Sequence, residues 1–175
     1  MERRPQNENL ESNPFSILKK RLFAGEITRE EFINTIFESD QSDPNRASSL
    51  HAVEILTEPN VEVLFVGSDL QKLFYSVRSL SYFHKAQIRL FNGETNVKDD
   101  LEATIQNSTQ IGDPHEEDWV NYVRATIAYL DNDQVAVESL LKKINSNHSL
   151  VKNFITGLEE RGFPDYTTDY SRDRG

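Results

Sequence analysis

The chain has 175 residues and carries 29 Asp and Glu against 19 Lys and Arg, a formal net charge of −10. It has no cysteine, which excludes disulfide scaffolds, thiolate metal sites and thiol catalysis. The acidic balance argues against nucleic acid as a partner, because such proteins need a basic surface to displace counterions from phosphates. No run of 18 apolar residues predicts a membrane span, and the polar start predicts no secretory signal. We therefore expect an acidic cytoplasmic protein.

Residues 1–12 are polar and hold too little apolar surface to offset the entropy of ordering, so we predict that they are disordered. Order should begin at Asn13-Pro14, since a capping Asn followed by Pro at the first helical position is a typical helix start. The same kind of pair recurs as Asp43-Pro44 and as Asp113-Pro114. Three such signals favour an all-α fold.

Two short amphipathic helices are predicted over residues 14–39. Gly25 is expected to end the first through a positive φ, and Thr28 with Glu31 forms a capping box that begins the second. The apolar residues of this hairpin would form an exposed patch unless they pack on the rest of the chain or on a second copy, which makes homo-oligomerisation possible. The residues predicted to mediate oligomerisation or docking are Leu18, Leu22, Phe32, Ile36 and Phe37.

The run Leu-Lys-Lys-Arg-Leu-Phe-Ala-Gly-Glu-Ile-Thr-Arg-Glu-Glu-Phe, residues 18–32, resembles the SHOCT-type helical hairpin of bacterial proteins. The signature of that hairpin is a Leu-Lys-rich helix, then Gly, Ile-Thr, two acids and Phe. The matching run is about one twelfth of the chain, and the hairpin that contains it, residues 13–42, is about one sixth. The resemblance implies an oligomerisation or docking hairpin over residues 13–42, a bacterial or phage origin and no catalytic residues.

Three further segments lead into the centre of the chain. The stretch 44–58 predicts a helix that ends before Pro59, because the residue preceding a proline leaves the αR region. Residues 61–67 have β character, but a lone strand has no ladder partner, so we predict a helix there and leave a strand open. From Asp69 to Phe91, apolar residues recur at helical spacing and predict one long helix.

An internal repeat follows at an offset of 39 residues, which aligns residues 86–93 with 125–132. The register extends to two apolar pairs, Leu101 with Leu140 and Ile105 with Ile144. Each copy consists of a helix with a small Ala, a tight polar turn and a second helix, which is the layout of tetratricopeptide-like helix pairs. We predict a short right-handed tetratricopeptide-like array over residues 43–164, followed by a flexible tail at 165–175.

The segment from Trp119 to Tyr166 is similar to the C-terminal part of small uncharacterised bacterial proteins. Those proteins pair a Trp-x-x-Tyr-x-x-Ala-Thr-Ile-Ala helix with a short second helix and a final Tyr. The resemblance implies helical structure and a bacterial origin, and it carries no assigned activity. We expect Trp119 itself to be largely buried, because it opens a helix facing Tyr122 and Val123.

The sequence supplies no motif for catalysis, metal binding or a cofactor. The four histidines are isolated, and no His-Glu-x-x-His, Gly-x-Ser-x-Gly, Walker A or Gly-x-Gly-x-x-Gly occurs. We therefore predict a non-enzymatic protein without catalytic residues, metal or cofactor. His84 lies on the apolar face of the long helix, where a hydrogen-bonded core histidine is the simpler interpretation. The alternative is a helical-bundle enzyme or small-ligand-binding protein with a core pocket near His84.

One surface pattern predicts a function. Opposite the apolar face of the long helix, aromatic and cationic side chains alternate, and Tyr and Arg often carry interface energy. This basic–aromatic stripe predicts an interaction or adaptor protein that binds a segment of another protein. The alternative is that acids of residues 94–118 neutralise the stripe within the fold. The predicted partner-binding residues are Tyr75, Arg78, Tyr82, Lys85 and Arg89.

Overall fold

The computed structural model describes residues 13–172, which form ten helices and no strand. The all-α fold predicted from the sequence is confirmed. The predicted disorder of residues 1–12 lies outside the described residues. In chain order the helices are α1 (Phe15–Phe23), α2 (Arg29–Ser42), α3 (Ser48–Leu56), α4 (Pro59–Glu62), α5 (Gln71–Phe91), α6 (Lys98–Ile111), α7 (Glu116–Leu130), α8 (Gln134–Leu141), α9 (His148–Arg161) and α10 (Tyr166–Ser171).

The three pairs of Asn or Asp with Pro share one local hydrogen bond. The side-chain oxygens of Asn13, Asp43 and Asp113 each accept from the backbone N–H two residues further on, at 2.9 Å. Helices α1 and α7 begin within a turn of their pairs. Helix α3 instead begins at Ser48, because Arg46 adopts a φ of 55° that interrupts the helical path. The predicted helix start at residue 44 is therefore wrong.

The N-terminal hairpin has the predicted turn. The Thr28 side chain accepts from the backbone N–H of Glu31, and the Glu31 carboxylate accepts in return from the backbone N–H of Thr28, as a capping box requires. Gly25 takes a φ of 71° and donates to Leu22, while Glu26 donates to Arg21. These two bonds satisfy the last carbonyls of α1 and turn the chain back.

The same turn closes two further helix pairs. Gly93 between α5 and α6 and Asn132 between α7 and α8 also have positive φ, with the same pair of backbone hydrogen bonds. These two residues are aligned by the 39-residue offset, so the repeat holds at the turn. The second copy then shortens, since α8 ends at Leu141 and Ile144 lies beyond it. The tetratricopeptide-like arrangement of the whole array stays a prediction.

The segment with β character forms neither a strand nor a long helix. Helix α4 ends at Glu62, and turns continue from there to α5. Val61 and Phe65 nevertheless point inward and are fully buried, while Val63 and Val66 are exposed. The predicted helix over 61–67 is therefore wrong for most of its length.

The described residues bury two apolar clusters. The first joins α1–α4 to the N-terminal half of α5, and the second joins the C-terminal half of α5 to α6–α10. Helix α5 thus runs through both clusters, and Lys72 and Phe91 are its only exposed residues. No helix in residues 13–172 combines the length and apolar character that crossing a membrane requires.

The predicted flexible tail is ordered as far as the structure describes it. Tyr166 and Asp169 are buried, and residues 166–171 form α10. The Tyr166 hydroxyl accepts a hydrogen bond from Gln87 on α5 at 3.0 Å. The chain therefore returns to α5 at its end, and the prediction of a tail from 165 is wrong up to residue 172.

Candidate functional site

The N-terminal half of the basic–aromatic stripe lies against neighbouring helices. The Arg78 guanidinium pairs with the Glu62 carboxylate at 3.1 Å and donates to the Leu56 carbonyl and to Asn107. It also lies over the rings of Phe74 and Tyr75. The only strongly basic group of this half is thus held by four elements of the fold. It is not free to meet a partner.

The C-terminal half of the stripe surrounds one buried carboxylate. Asp100, on α6, is 5% exposed. Lys85 pairs with its Oδ1 at 2.8 Å and Arg89 with its Oδ2 at 2.6 Å. Arg89 also pairs with Glu94 at 2.8 Å. All three cations of the stripe therefore neutralise acids of the same chain, and two of them join α5 to α6.

The two tyrosines of the stripe border a polar cleft between α5 and α6. Tyr75 is buried, and its hydroxyl lies 3.4 Å from the Glu62 carboxylate. Burial, followed by the nearby Glu62 charge, raises the pKa of Tyr75. Tyr82 is half-buried under Lys85, whose ammonium lies 5.9 Å from the centre of its ring. The structure therefore brings the five stripe residues together as an internal seam between two helices.

The residues predicted to mediate docking of the hairpin lie mostly inside. Leu22, Phe32 and Ile36 are buried in the first cluster, and Leu18 packs against it. The hairpin is thus packed on the body of its own chain. Phe37 alone is exposed, at 39%. Homo-oligomerisation through this hairpin stays a prediction.

His84 belongs to a buried polar group between α2, α3 and α5. Its Nδ1 donates to Asp40 Oδ2 at 2.7 Å, and the Ser49 hydroxyl donates to Asp40 Oδ1. The carboxylate therefore lies between the hydroxyl and the imidazole. A nucleophile–base–orienter set needs the imidazole in the middle, where it takes the hydroxyl proton. The geometry supports a structural role for His84 in joining α5 to α2.

An apolar groove lies along the N-terminal half of α5, between α2 and α7. It has a volume of about 350 Å³. Phe37 borders it from α2 and Trp119 from α7, while Leu73 and Leu80 form its floor with small serines between them. We call it the α5 groove and define it by Phe37, Leu73, Ser76, Val77, Ser79, Leu80, Glu116 and Trp119.

Trp119 is held in place by ring contacts and one hydrogen bond. Its ring meets Phe83 edge to face, with centroids 4.7 Å apart, and lies 5.7 Å from Tyr122. Its Nε1 donates to Ser79 Oγ at 3.4 Å. The remaining surface of the indole is open, since the residue is half-buried. Trp119 therefore presents a fixed aromatic face to the groove.

Glu116 places a carboxylate at the rim of the α5 groove. Burial, followed by the like charge of Asp113, raises its pKa, while a hydrogen bond with Ser108 acts in the opposite direction. In the part of the chain that the structure describes, no Lys or Arg forms an ion pair with Glu116. The rim thus carries a carboxylate that no cation of the described residues pairs with.

The sequence does not predict the α5 groove. Leu73 and Leu80 are among the apolar residues that recur at helical spacing between Asp69 and Phe91, but a helix surrounded on nearly all sides shows no sequence difference between covered and uncovered apolar positions. Small residues beside Leu73 and Leu80, such as Ser76, are the one local sequence feature that indicates the floor of a groove. Within residues 13–172, no group of three His, Asp or Glu side chains is placed to hold a metal ion.

Comparison with known proteins adds no relative. No family model, no curated protein and no solved structure matches the chain. The likeness of residues 18–32 to SHOCT-type hairpins stays a prediction.

Proposed function

We propose that this protein is a non-enzymatic interaction or adaptor module that binds a segment of another protein in the α5 groove. The single observation that carries the proposal is the fixed, half-open face of Trp119, which lines the same groove as the exposed Phe37 and as Leu80. Aromatic side chains held in place lose little entropy on binding and supply much contact area. The cytoplasmic location and bacterial origin expected from the sequence belong to the same proposal.

The basic–aromatic stripe supports this function less well than the groove does. Its cations already pair with Glu62, Glu94 and Asp100, so a partner would have to displace ion pairs that hold α5 to its neighbours. The α5 groove requires no such exchange. A partner side chain entering it would gain apolar contacts that the chain itself leaves unmade.

A selection from a display library of random 16-residue peptides tests the proposal. Recovered peptides should change the emission of Trp119, which is the only tryptophan of the chain. Their affinity should fall by about tenfold or more for Leu80→Glu and for Phe37→Ala, since a charge or a lost ring spoils an apolar contact.

Val135→Glu is the matched control. Val135 is 78% exposed on α8, so the variant adds the same charge at an apolar surface residue outside the groove. Circular dichroism of all three variants checks that the fold is intact. Peptides that bind Leu80→Glu and Phe37→Ala as tightly as the parent, or a selection without any groove-dependent peptide, would contradict the proposed function.

A further inference from the structure

The face of α5 that floors the groove continues towards its C-terminus. Leu73, Leu80 and Gln87 succeed one another at intervals of seven residues, which is two helical turns, so they lie in one line. At the C-terminal end of this line, α10 covers the helix: Tyr166 bonds to Gln87, and its ring lies 5.6 Å from that of Phe91. The line is therefore covered by a helix at one end and open at the other.

The contacts of α10 show which side chains pack against this face of α5. Tyr166 and Tyr170 stack on each other, with ring centroids 5.3 Å apart, and both meet Phe91. Tyr166 is buried in the second cluster beside Tyr122 of α7. A short helix with two aromatic residues one turn apart thus packs against α9 and α5, and its Tyr166 lies beside Tyr122 of α7. The open end has the same floor helix and the same neighbour, with Trp119 one turn before Tyr122.

Length and charge define the occupant further. The open floor from Leu73 to Leu80 spans about 10 Å, since each residue of a helix rises about 1.5 Å. Two to three turns of helix would cover it. Among residues 13–172 no cation forms an ion pair with Glu116 at the rim, and the net charge of the chain is −10. A basic side chain on the bound segment would form an ion pair with this carboxylate.

We infer that the α5 groove binds an amphipathic helix of two to three turns from a partner protein, whose basic residue pairs with Glu116. This inference rests on the proposed function and names the chemistry of its partner. The apolar face of that helix meets Phe37, Leu80 and Trp119. The occupant extends the line of α10 along α5, as a helix-in-groove interaction does.

The test uses the peptides selected on the full chain. Peptides whose binding depends on Leu80 should become helical when bound, by circular dichroism, and should carry Lys or Arg beside the apolar face. Replacing that basic residue by Glu should weaken binding by about tenfold, and Glu116→Lys should restore the binding of the altered peptide. Added salt should reduce this difference, because a charge pair at a rim is screened.

Glu102→Lys is the control for net charge. Glu102 is exposed on α6 outside the groove, so this variant changes the charge of the protein equally without touching the rim. It should not restore binding of the altered peptide. Restoration by Glu102→Lys as fully as by Glu116→Lys would overturn the inference, because the effect would then depend on total charge.

The remaining outcomes separate the inference from the proposed function. Groove-dependent peptides that bind in an extended form, or that tolerate Glu in place of the basic residue, overturn the inference and leave the proposed function standing. A selection without any groove-dependent peptide overturns both. A dimer in sedimentation that Leu80→Glu dissociates would show that the occupant is a second copy, which also overturns the inference.

Discussion

At the scale of single residues, Asp169 joins three other side chains through one buried carboxylate. It is fully buried, and its carboxylate accepts from the Tyr129 hydroxyl at 2.6 Å and from Arg161 and Arg172. Burial, followed by the hydrogen bond to Asp169, raises the pKa of Tyr129 well above its ordinary value. Tyr129 therefore stays a neutral donor at physiological pH. This group fixes α10 against α7 and α9.

Gly157 makes room for this carboxylate. A Cβ at residue 157 would overlap the Asp169 carboxylate, which its three donors prevent from moving aside. We predict that Gly157→Ala lowers the free energy of unfolding by about 1–3 kcal/mol, as overpacking of a well-packed core does. Thermal denaturation measures the change. Lys152→Ala, at an exposed residue of the same helix, should stay within about 0.5 kcal/mol. Equal stability of the two variants would show that α10 packs differently.

Glu116 makes the stability of the free protein depend on pH. Its pKa is raised in the folded protein above the unfolded value of 4.5. The folded state therefore disfavours the charged form, and this penalty is complete above the folded pKa and fades as the pH falls towards 4.5. We predict that Glu116→Gln melts at a higher temperature than the parent at pH 7.

The advantage of Glu116→Gln should disappear about one pH unit below the unfolded pKa of 4.5, where the carboxyl is largely protonated in both the folded and the unfolded state. Glu102→Gln serves as the comparison, because Glu102 is exposed on α6 outside the groove. A difference in melting temperature between Glu116→Gln and the parent that is the same at both pH values would contradict the conclusion that folding raises the pKa of Glu116.

At the scale of elements, the features that the sequence predicts correctly are those that hydrogen bonds between neighbouring residues determine. The start of α1, the capping box of α2 and the turn at Gly25 follow from side chains within a few residues of one another. The sequence of this turn occurs twice in the chain, as Arg-Leu-Phe-Ala-Gly-Glu at residues 21–26 and as Arg-Leu-Phe-Asn-Gly-Glu at residues 89–94. Both copies form the same backbone turn and both pair their Arg with their Glu.

The neighbours of each element could not be predicted in the same way. Helix α5 has an apolar face and a basic–aromatic face, and a surface helix would show that pattern too. The sequence leaves open whether acids of residues 94–118 cover the second face, and the fold shows that Asp100 of α6 does so by pairing with Lys85 and Arg89. Helix α10 was missed for a related reason, since its short polar sequence becomes buried through Tyr166 and the paired Asp169.

Reversal of one stripe charge tests whether the seam is internal. Arg89→Glu would place a negative charge beside Asp100, which is 5% exposed. We predict a loss of about 3–5 kcal/mol in the free energy of unfolding, because a buried charge loses one of its two cationic partners and gains a like charge beside it. Chemical denaturation measures it. Lys98→Glu reverses a charge in an exposed pair with Asp131 and should cost less than about 1 kcal/mol. An Arg89→Glu protein as stable as the parent would show that the stripe is a free surface and not an internal seam.

At the scale of the whole molecule, the long helix α5 and, with fewer residues, α6 contribute to both apolar clusters. Phe74 and Val77 of α5 lie in the first cluster, and Phe83, Ala86 and Leu90 lie in the second. Between them, Ser79 bonds to Ser108 at 2.8 Å and receives the hydrogen bond of Trp119. The groove therefore lies where the two clusters meet, and a bound segment would contact elements of both.

A shared helix predicts that the two clusters unfold together. Loss of the first cluster would strip α5 of the contacts that keep its N-terminal half helical, and the second cluster needs the same helix intact. Ile36→Val in the first cluster and Ile144→Val in the second should each cost about 0.5–1.5 kcal/mol. Each variant should lower the urea midpoint of far-UV circular dichroism and that of Trp119 fluorescence by the same amount. Trp119 packs on Phe83 of the second cluster, so an Ile36→Val protein whose fluorescence midpoint stays at the parent value, while its circular dichroism midpoint falls, would show two independent units.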